Sequence, residues 1–447
     1  MAPLVRRESE FSLMTPTITT HPEAAAAATL RGLPLTVDAA EPCLVCGHDG
    51  VQLFADLGHT ALANNLTSEP APAGEPHYPL RVGYCPACWH VQLLDRVPPA
   101  AMFTEYCYVS SASSTLREHL GSLAAAAAAR LQLGPGELAV DIGSNDGTLL
   151  SALGRLQPAA CLQGVDPAAN LAALARAAGV PTEIAYFNED TARRLIERHG
   201  RRARLITATN SFPHIPELDS YLAGVAALLA PGGRFVVEAH YLGDLLDQLA
   251  FDTIYHEHVS YWALGPMRHA LRRHGLDVVD VERLPVHHGQ LRAWIGHAGE
   301  AAPSPAVAAL DQAEIEAGLR SPITYTRFAR RLEQLRHQMR DAVAGVLNSG
   351  QRLAGYGAPA KAATLAAYCG LGPREIAWIA DRNPLKQGRY LPGAGIPIVS
   401  CERLEQDPPD VLLLFAWNFA PEIMTQLAAF RRAGGRFLIP VPEPHLL

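Results

Sequence analysis

The stretch that most constrains the fold is Leu138–Leu150, LAVDIGSNDGTLL. A short apolar run passes directly into a turn with two glycines and two acids, and then into helix-forming residues. Strand, glycine turn and helix N-terminus make the first unit of a doubly wound sheet, whose ligands bind outside the carboxyl ends of the strands. The turn reads D-x-G-x-x-x-G, not the G-x-G-x-x-G of dinucleotide enzymes. Gly143 and Gly147 allow close approach of backbone to ligand. A second apolar run, LQGVD, ends in Asp166, placed to accept hydrogen bonds from ribose hydroxyls. This spacing fits S-adenosylmethionine (SAM) better than NAD. Asp141, Gly143, Asn145, Asp146, Gly147, Asp166 and Asn170 are the candidate cofactor residues. Further strands are expected at Leu205–Ala208 and Arg234–Glu238. The first runs into NSFPHI, so Asn210 joins the cofactor set and His214 faces the transferred group.

A chain of 447 residues holds more than one such unit. We expect a flexible leader over 1–40, a metal-binding unit over 41–100, the core over 101–300 and a second α/β unit over 301–447. The N-terminus carries two arginines, Arg6 and Arg7, but no continuous apolar segment, so it is not read as a signal peptide, and Met14 is an alternative start. A net charge of -7 and the lack of a basic run argue against a nucleic-acid surface. No apolar run reaches membrane-spanning length. A cytoplasmic monomer acting on a small molecule is expected. Four of the eight cysteines fall in two knuckles, CLVC and CPAC. Cys43, Cys46, Cys85 and Cys88 can close one tetrahedral all-thiolate site, which leaves no position for water and suits structural zinc. His48, His59 and His90 are expected on the surface of this unit.

Phe251–Trp262, FDTIYHEHVSYW, is too polar for a core strand and too aromatic for a solvated loop. The mixture suits a partly buried pocket in which a histidine moves a proton, a carboxylate orients it and tyrosines position a substrate. Tyr106 and Tyr108 in EYCYVSS precede a helix and serve packing or catalysis. His287, His288 and Arg292 follow in VHHGQLRAW. Near the C-terminus, GYGAPAK is a second glycine turn, where Lys361 at a helix start suits a phosphate. Asp381, Lys386 and Asn418 sit on loops facing the same cleft.

CLVC…CPAC, ALANNL, EYCYVSS, DIGSNDGTLL, GVDPAAN, NSFPHI, FDTIYHEHVSYW, HHGQLR and GYGAPAKA together resemble the three-domain SAM-dependent C-methyltransferases of nucleotide-linked deoxysugars. The resemblance spans Cys43 to about Pro440. It implies an α/β fold: a class I methyltransferase Rossmann-like core, a small N-terminal zinc-binding domain and a C-terminal Rossmann-like domain. It implies SAM and structural Zn2+ as cofactors, and methylation of carbon 3 of a thymidine-diphospho-4-keto-6-deoxysugar, as in antibiotic biosynthesis. By the same resemblance His258 is the general base, and Glu257 and Tyr255 orient it or the sugar. Tyr106 or Tyr108, with His214, contacts the keto oxygen or the ring. The nucleotide lies between core and C-terminal domain, where His288, Arg292, Tyr356, Lys361 and Asn418 are the candidate substrate residues. The chain departs from the pattern at His288 and Gln290, where a Gly and a Ser are expected. The alternative is a SAM-dependent C-, O- or N-methyltransferase of a non-sugar natural-product acceptor.

Overall fold

The computed structural model describes residues 42–286 and 289–447. The leader expected over 1–40, and His287 and His288, lie outside those residues.

Seven strands form the central sheet: β1 (Leu138–Ile142), β2 (Cys161–Asp166), β3 (Thr182–Ile184), β4 (Ala203–Thr209), β5 (Leu229–His240), β6 (Leu276–Leu284) and β7 (Gln290–His297). Their order is β6-β7-β5-β4-β1-β2-β3. β1 to β5 run parallel, and β7 is antiparallel to both β5 and β6. Every residue of β1 is buried, as befits a strand covered by helices on both faces. After β3 the chain returns to the other side of β1, so the order reverses between β1 and β4. That switch point opens the ligand crevice at their carboxyl ends.

The C-terminal unit repeats the scheme on a smaller scale. Leu353–Tyr356 lies between Ile379–Ala380 and Val411–Leu414, all parallel, and the helix Lys361–Cys369 follows its glycine turn. The chain enters this unit through the helix Pro322–Asn348, whose buried face carries Tyr325, Phe328, Leu332, Leu335 and Met339.

The N-terminal unit is an antiparallel sheet of Gln52–Thr60, Tyr78–Tyr84 and Val91–Leu93, completed by Ser260–Tyr261 from the histidine-rich stretch. Leu80, Val82, Val91 and Leu93 share one apolar core with Phe251, Ile254, Tyr325 and Phe328. The sheet is therefore packed into the body of the molecule. His90, expected on the surface, is fully buried and meets the Ser260 hydroxyl at 3.1 Å. The reason is the incoming fourth strand, which pairs beside Val91–Leu93 and brings Ser260 and Trp262 against the imidazole.

Candidate active site

A cavity of about 750 Å3 lies at the switch point, walled by the core crevice, the histidine-rich stretch and the glycine turn of the C-terminal unit. On the crevice side, Gly143 has φ +74, and a Cβ there would fall 2.5 Å from the Ser211 Cβ. Only glycine makes this turn. Asp141 is buried and accepts the Thr207 hydroxyl at 2.7 Å; burial pushes its carboxyl up to about 7. Asp166 accepts the Asn145 N–H at 2.8 Å and the Ala168 N–H at 2.9 Å, one on each oxygen. Each oxygen keeps a second lone pair for a ribose hydroxyl, so the donor and acceptor set fits an adenosine-bearing cofactor.

Asn145 and Asp146 also build the wall. Asn145 Oδ1 accepts the Ser110 N–H at 2.9 Å and its amide donates to the Tyr108 carbonyl at 3.0 Å. Asp146 accepts the Ser111 N–H at 3.0 Å. Asn170 grips Tyr106 twice, accepting its N–H at 3.2 Å and donating to its carbonyl at 2.9 Å. Asp146 and Asn170 thus stand behind the cavity surface and position the segment that carries Tyr106 and Tyr108, and Gly147, also behind it, starts the helix Thr148–Leu156 at φ 76. Asn210, with φ 56, accepts the Gln290 amide at 2.5 Å.

The His-Glu-His run sends three neighbours to three partners. His256 reaches the Pro79 carbonyl at 3.1 Å, in the N-terminal sheet. Glu257 is buried and accepts the Tyr106 hydroxyl and the Asn64 amide, both at 2.7 Å. Burial pushes its carboxyl up to about 7 against the pull of those two donors. His258 Nδ1 lies 2.7 Å from the Thr253 carbonyl, so Nδ1 carries the proton and donates. That leaves the Nε2 lone pair, 2.9 Å from the Tyr255 hydroxyl, which donates to it. Burial and the neighbouring His214 press the His258 imidazole down to about 3, so it is neutral at physiological pH. The rings of His214 and His240 lie 5.1 and 5.2 Å from it, and His214 stacks on Phe103. Glu257 therefore orients Tyr106, not His258; the Thr253 carbonyl orients His258.

From the C-terminal unit, Lys361, Lys386, Asp381 and Asn418 reach the cavity. Lys361 is buried over the Trp417 ring at 4.1 Å, 3.8 Å from Asp252. Burial lowers its ammonium to about 8, and Asp252 opposes this. Asp381 accepts the Ala358 N–H at 2.6 Å and the Asn383 N–H at 2.7 Å. This is the arrangement of Asp166 with Asn145 and Ala168. Gly357 N–H bonds to the Ala380 carbonyl just as Gly143 N–H bonds to that of Val165, both at 2.8 Å. Two crevices of one design thus face one cavity.

Two expected substrate residues lie elsewhere. Arg292 of β7 is buried between its cross-strand neighbours, donating to Glu238 of β5 at 2.5 Å and Glu282 of β6 at 3.3 Å. Glu238 also meets His119. Tyr356 is buried at the end of its strand, its ring pointing toward Cys401, away from the cavity. Asn64 lines the cavity, and only its place in ALANNL marked it in the sequence.

The four knuckle sulfurs lie within 4.8 Å of one another, with Cys43 to Cys88 at 3.5 Å and Cys46 to Cys85 at 3.6 Å. Zn–S bonds of about 2.3 Å put tetrahedral ligands about 3.8 Å apart, so the cluster fits zinc. Gln92 accepts the Leu44 N–H and donates to the Pro42 carbonyl, which ties the first knuckle to the strand that pairs with Ser260.

Residues 43–103 match the family described as a zinc binding domain, 116–281 the methyltransferase domain and 285–442 the C-methyltransferase C-terminal domain. The chain is 42% identical over 409 residues to the C-methyltransferase NovU of Streptomyces niveus, covering 91% of this chain and 97% of that protein. Among solved structures, magnesium protoporphyrin IX methyltransferase of Synechocystis with bound SAM is 16% identical, covering 40% of this chain and 77% of its own, with a TM-score of 0.30. A SAM-dependent methyltransferase of Clostridium acetobutylicum is 15% identical, covering 41% and 92%, with a TM-score of 0.33. With its zinc-binding, methyltransferase and C-terminal domains all matched, the chain belongs to the family of SAM-dependent C-methyltransferases.

Proposed function

We propose that the acceptor is a nucleotide-linked 4-keto-6-deoxysugar, thymidine-diphosphate-linked, methylated on the carbon beside its ketone. The observation that carries this reading is the single cavity between two crevices. The core crevice suits the adenosine cofactor. The C-terminal crevice offers a ribose-binding acid, Asp381, beside two lysines for a diphosphate. The proton-moving cluster stands between them.

When bound, SAM supplies an electrophilic methyl group on a sulfonium. The protein's task is then to make a carbon nucleophile. Tyr255 takes the proton from the carbon beside the ketone as it passes its own proton to His258 Nε2. The Thr253 carbonyl holds His258 in the tautomer that can accept it. A buried imidazolium is costly; here it forms as the enolate forms, so the pair carries no net charge. The Tyr106 hydroxyl, held by Glu257, is the polar group placed toward the sugar oxygen. Positioned acid–base groups of this kind contribute about 10²–10⁴-fold each. We place the enzyme in the cytoplasm as a monomer in deoxysugar and antibiotic biosynthesis; among the described residues no helix is long and apolar enough to cross a membrane.

The test is incubation with SAM and a thymidine-diphospho-4-keto-6-deoxysugar, followed by mass spectrometry and carbon NMR. One added methyl on the α-carbon is expected. A methylated oxygen, or turnover only with non-sugar carbon acids, would move the reading to the natural-product alternative.

A further inference from the structure

Asn64 belongs to the loop between the first two strands of the zinc-bearing sheet. No zinc ligand touches it, yet its amide reaches a buried carboxylate 193 residues away in the chain. The loop is tied down on two sides. Thr67 makes an antiparallel bridge with Tyr390 of the C-terminal unit, and the two knuckles clamp the far end of the strand pair that carries the loop, where Gln52 pairs with Tyr84. Cys107 Sγ lies 3.7 Å from the Asn64 carbonyl, beside Tyr106. The Asn64 amide nitrogen is 2.7 Å from Glu257 Oε1 and 3.5 Å from the Tyr106 oxygen, while Tyr106 donates to Glu257 Oε2.

We propose that Asn64 is a positioning residue for methyl transfer: its amide holds Glu257 as the acceptor of the Tyr106 hydroxyl and so fixes which way that hydroxyl points in the cavity. This rests on the function proposed above. While Glu257 is ionised, the Tyr106 proton is turned to the carboxylate and the phenol oxygen offers lone pairs to the cavity. Once Glu257 is protonated, its own O–H donates to the Tyr106 oxygen, and the Tyr106 proton is released toward a substrate oxygen. A donor to the carboxylate favours the ionised form, so Asn64 sets the pH at which the hydroxyl reverses. Tyr106, Tyr255 and Cys107 are the titratable groups facing Glu257: the carboxylate disfavours ionisation of all three, while the Tyr106 hydroxyl, by donating to it, favours the carboxylate form. Asn64 is the neutral donor from the third element packed against it.

The test combines an infrared titration of the buried carboxyl band in the full-length zinc-loaded protein with the pH profile of turnover. The band is assigned by its loss in Glu257→Gln. In Asn64→Leu, which keeps the shape and removes the donor, the midpoint should rise by about one unit or more, and the pH profile should move with it. Asn64→Ala reads the same band where Asn64→Leu does not fold. An unmoved midpoint in a variant with full zinc content overturns the proposal. A shifted midpoint in a protein that methylates no keto-sugar leaves the positioning role standing and removes the function it was meant to serve.

Discussion

Glu257 and His258 are neighbours in the chain, and the fold gives them opposite environments. Glu257 sits between two donors in a buried pocket that pushes its carboxyl up to about 7. His258 is neutral down to about 3. Between pH 6 and 8 the group of this cluster that changes charge is therefore the glutamate. We expect the turnover rate to change across this window, and Glu257→Gln, fixed in the neutral form, to flatten that limb of the pH profile. A profile in Glu257→Gln that kept the wild-type midpoint would assign the limb to another group. Tyr255→Phe and His258→Ala should each lower turnover by about 10²–10⁴-fold, while cofactor affinity measured by calorimetry stays within a few-fold, because neither residue belongs to the crevice that holds it. Near-normal turnover of Tyr255→Phe would show that the proton reaches His258 without the phenol.

At the scale of elements, the histidine-rich stretch is a bridge. Its start, Asp252, accepts the Trp417 indole N–H at 2.7 Å and faces Lys361, both in the C-terminal unit. Its end, Ser260–Tyr261, is the fourth strand of the zinc-bearing sheet. Lys361→Met should raise KM for the proposed nucleotide-linked acceptor by tenfold or more, the loss of a charge-assisted contact of about 1.5–3 kcal/mol, with kcat less affected; an unchanged KM would remove Lys361 from the proposed diphosphate site. Much of this was legible in the residues. The β1 turn, the acid closing β2 and the four-cysteine knuckles announce themselves because glycine at positive φ, an acid at a strand end and paired thiolates each have few other uses. Arg292 was misread for a physical reason. HHGQLR made Arg292 a candidate substrate residue, but Glu238 and Glu282 stand on the two neighbouring strands, which only the sheet order reveals. His90 was misplaced because the strand that buries it comes from 170 residues away.

Across the whole molecule, the four-cysteine site and the histidine-rich stretch are mechanically connected. The metal fixes the knuckles, Gln92 fastens the first knuckle to Val91–Leu93, and that strand pairs with Ser260–Tyr261, two residues after His258. The sheet also carries Asn64 to Glu257. Removing zinc with a chelator, or substituting Cys85→Ser, should therefore cost both stability and turnover, with turnover falling before the core unfolds in a urea titration. Turnover and core circular dichroism lost at one midpoint would show instead that zinc supports only the global fold. The one cavity shared by all three units explains why no single motif announces the substrate: its walls come from segments separated by most of the chain.

We propose that the Tyr255–His258 pair draws a proton from the carbon that is then methylated. It is tested most directly by proton NMR of a thymidine-diphospho-4-keto-6-deoxysugar in deuterated water, with S-adenosylhomocysteine in place of the methyl donor. Wild-type protein should exchange the α-proton for deuterium without adding a methyl, and His258→Ala should not. Exchange that persisted at the wild-type rate in His258→Ala, or an α-proton retained by wild-type protein that goes on to methylate the sugar, would remove the Tyr255–His258 pair from the proton transfer.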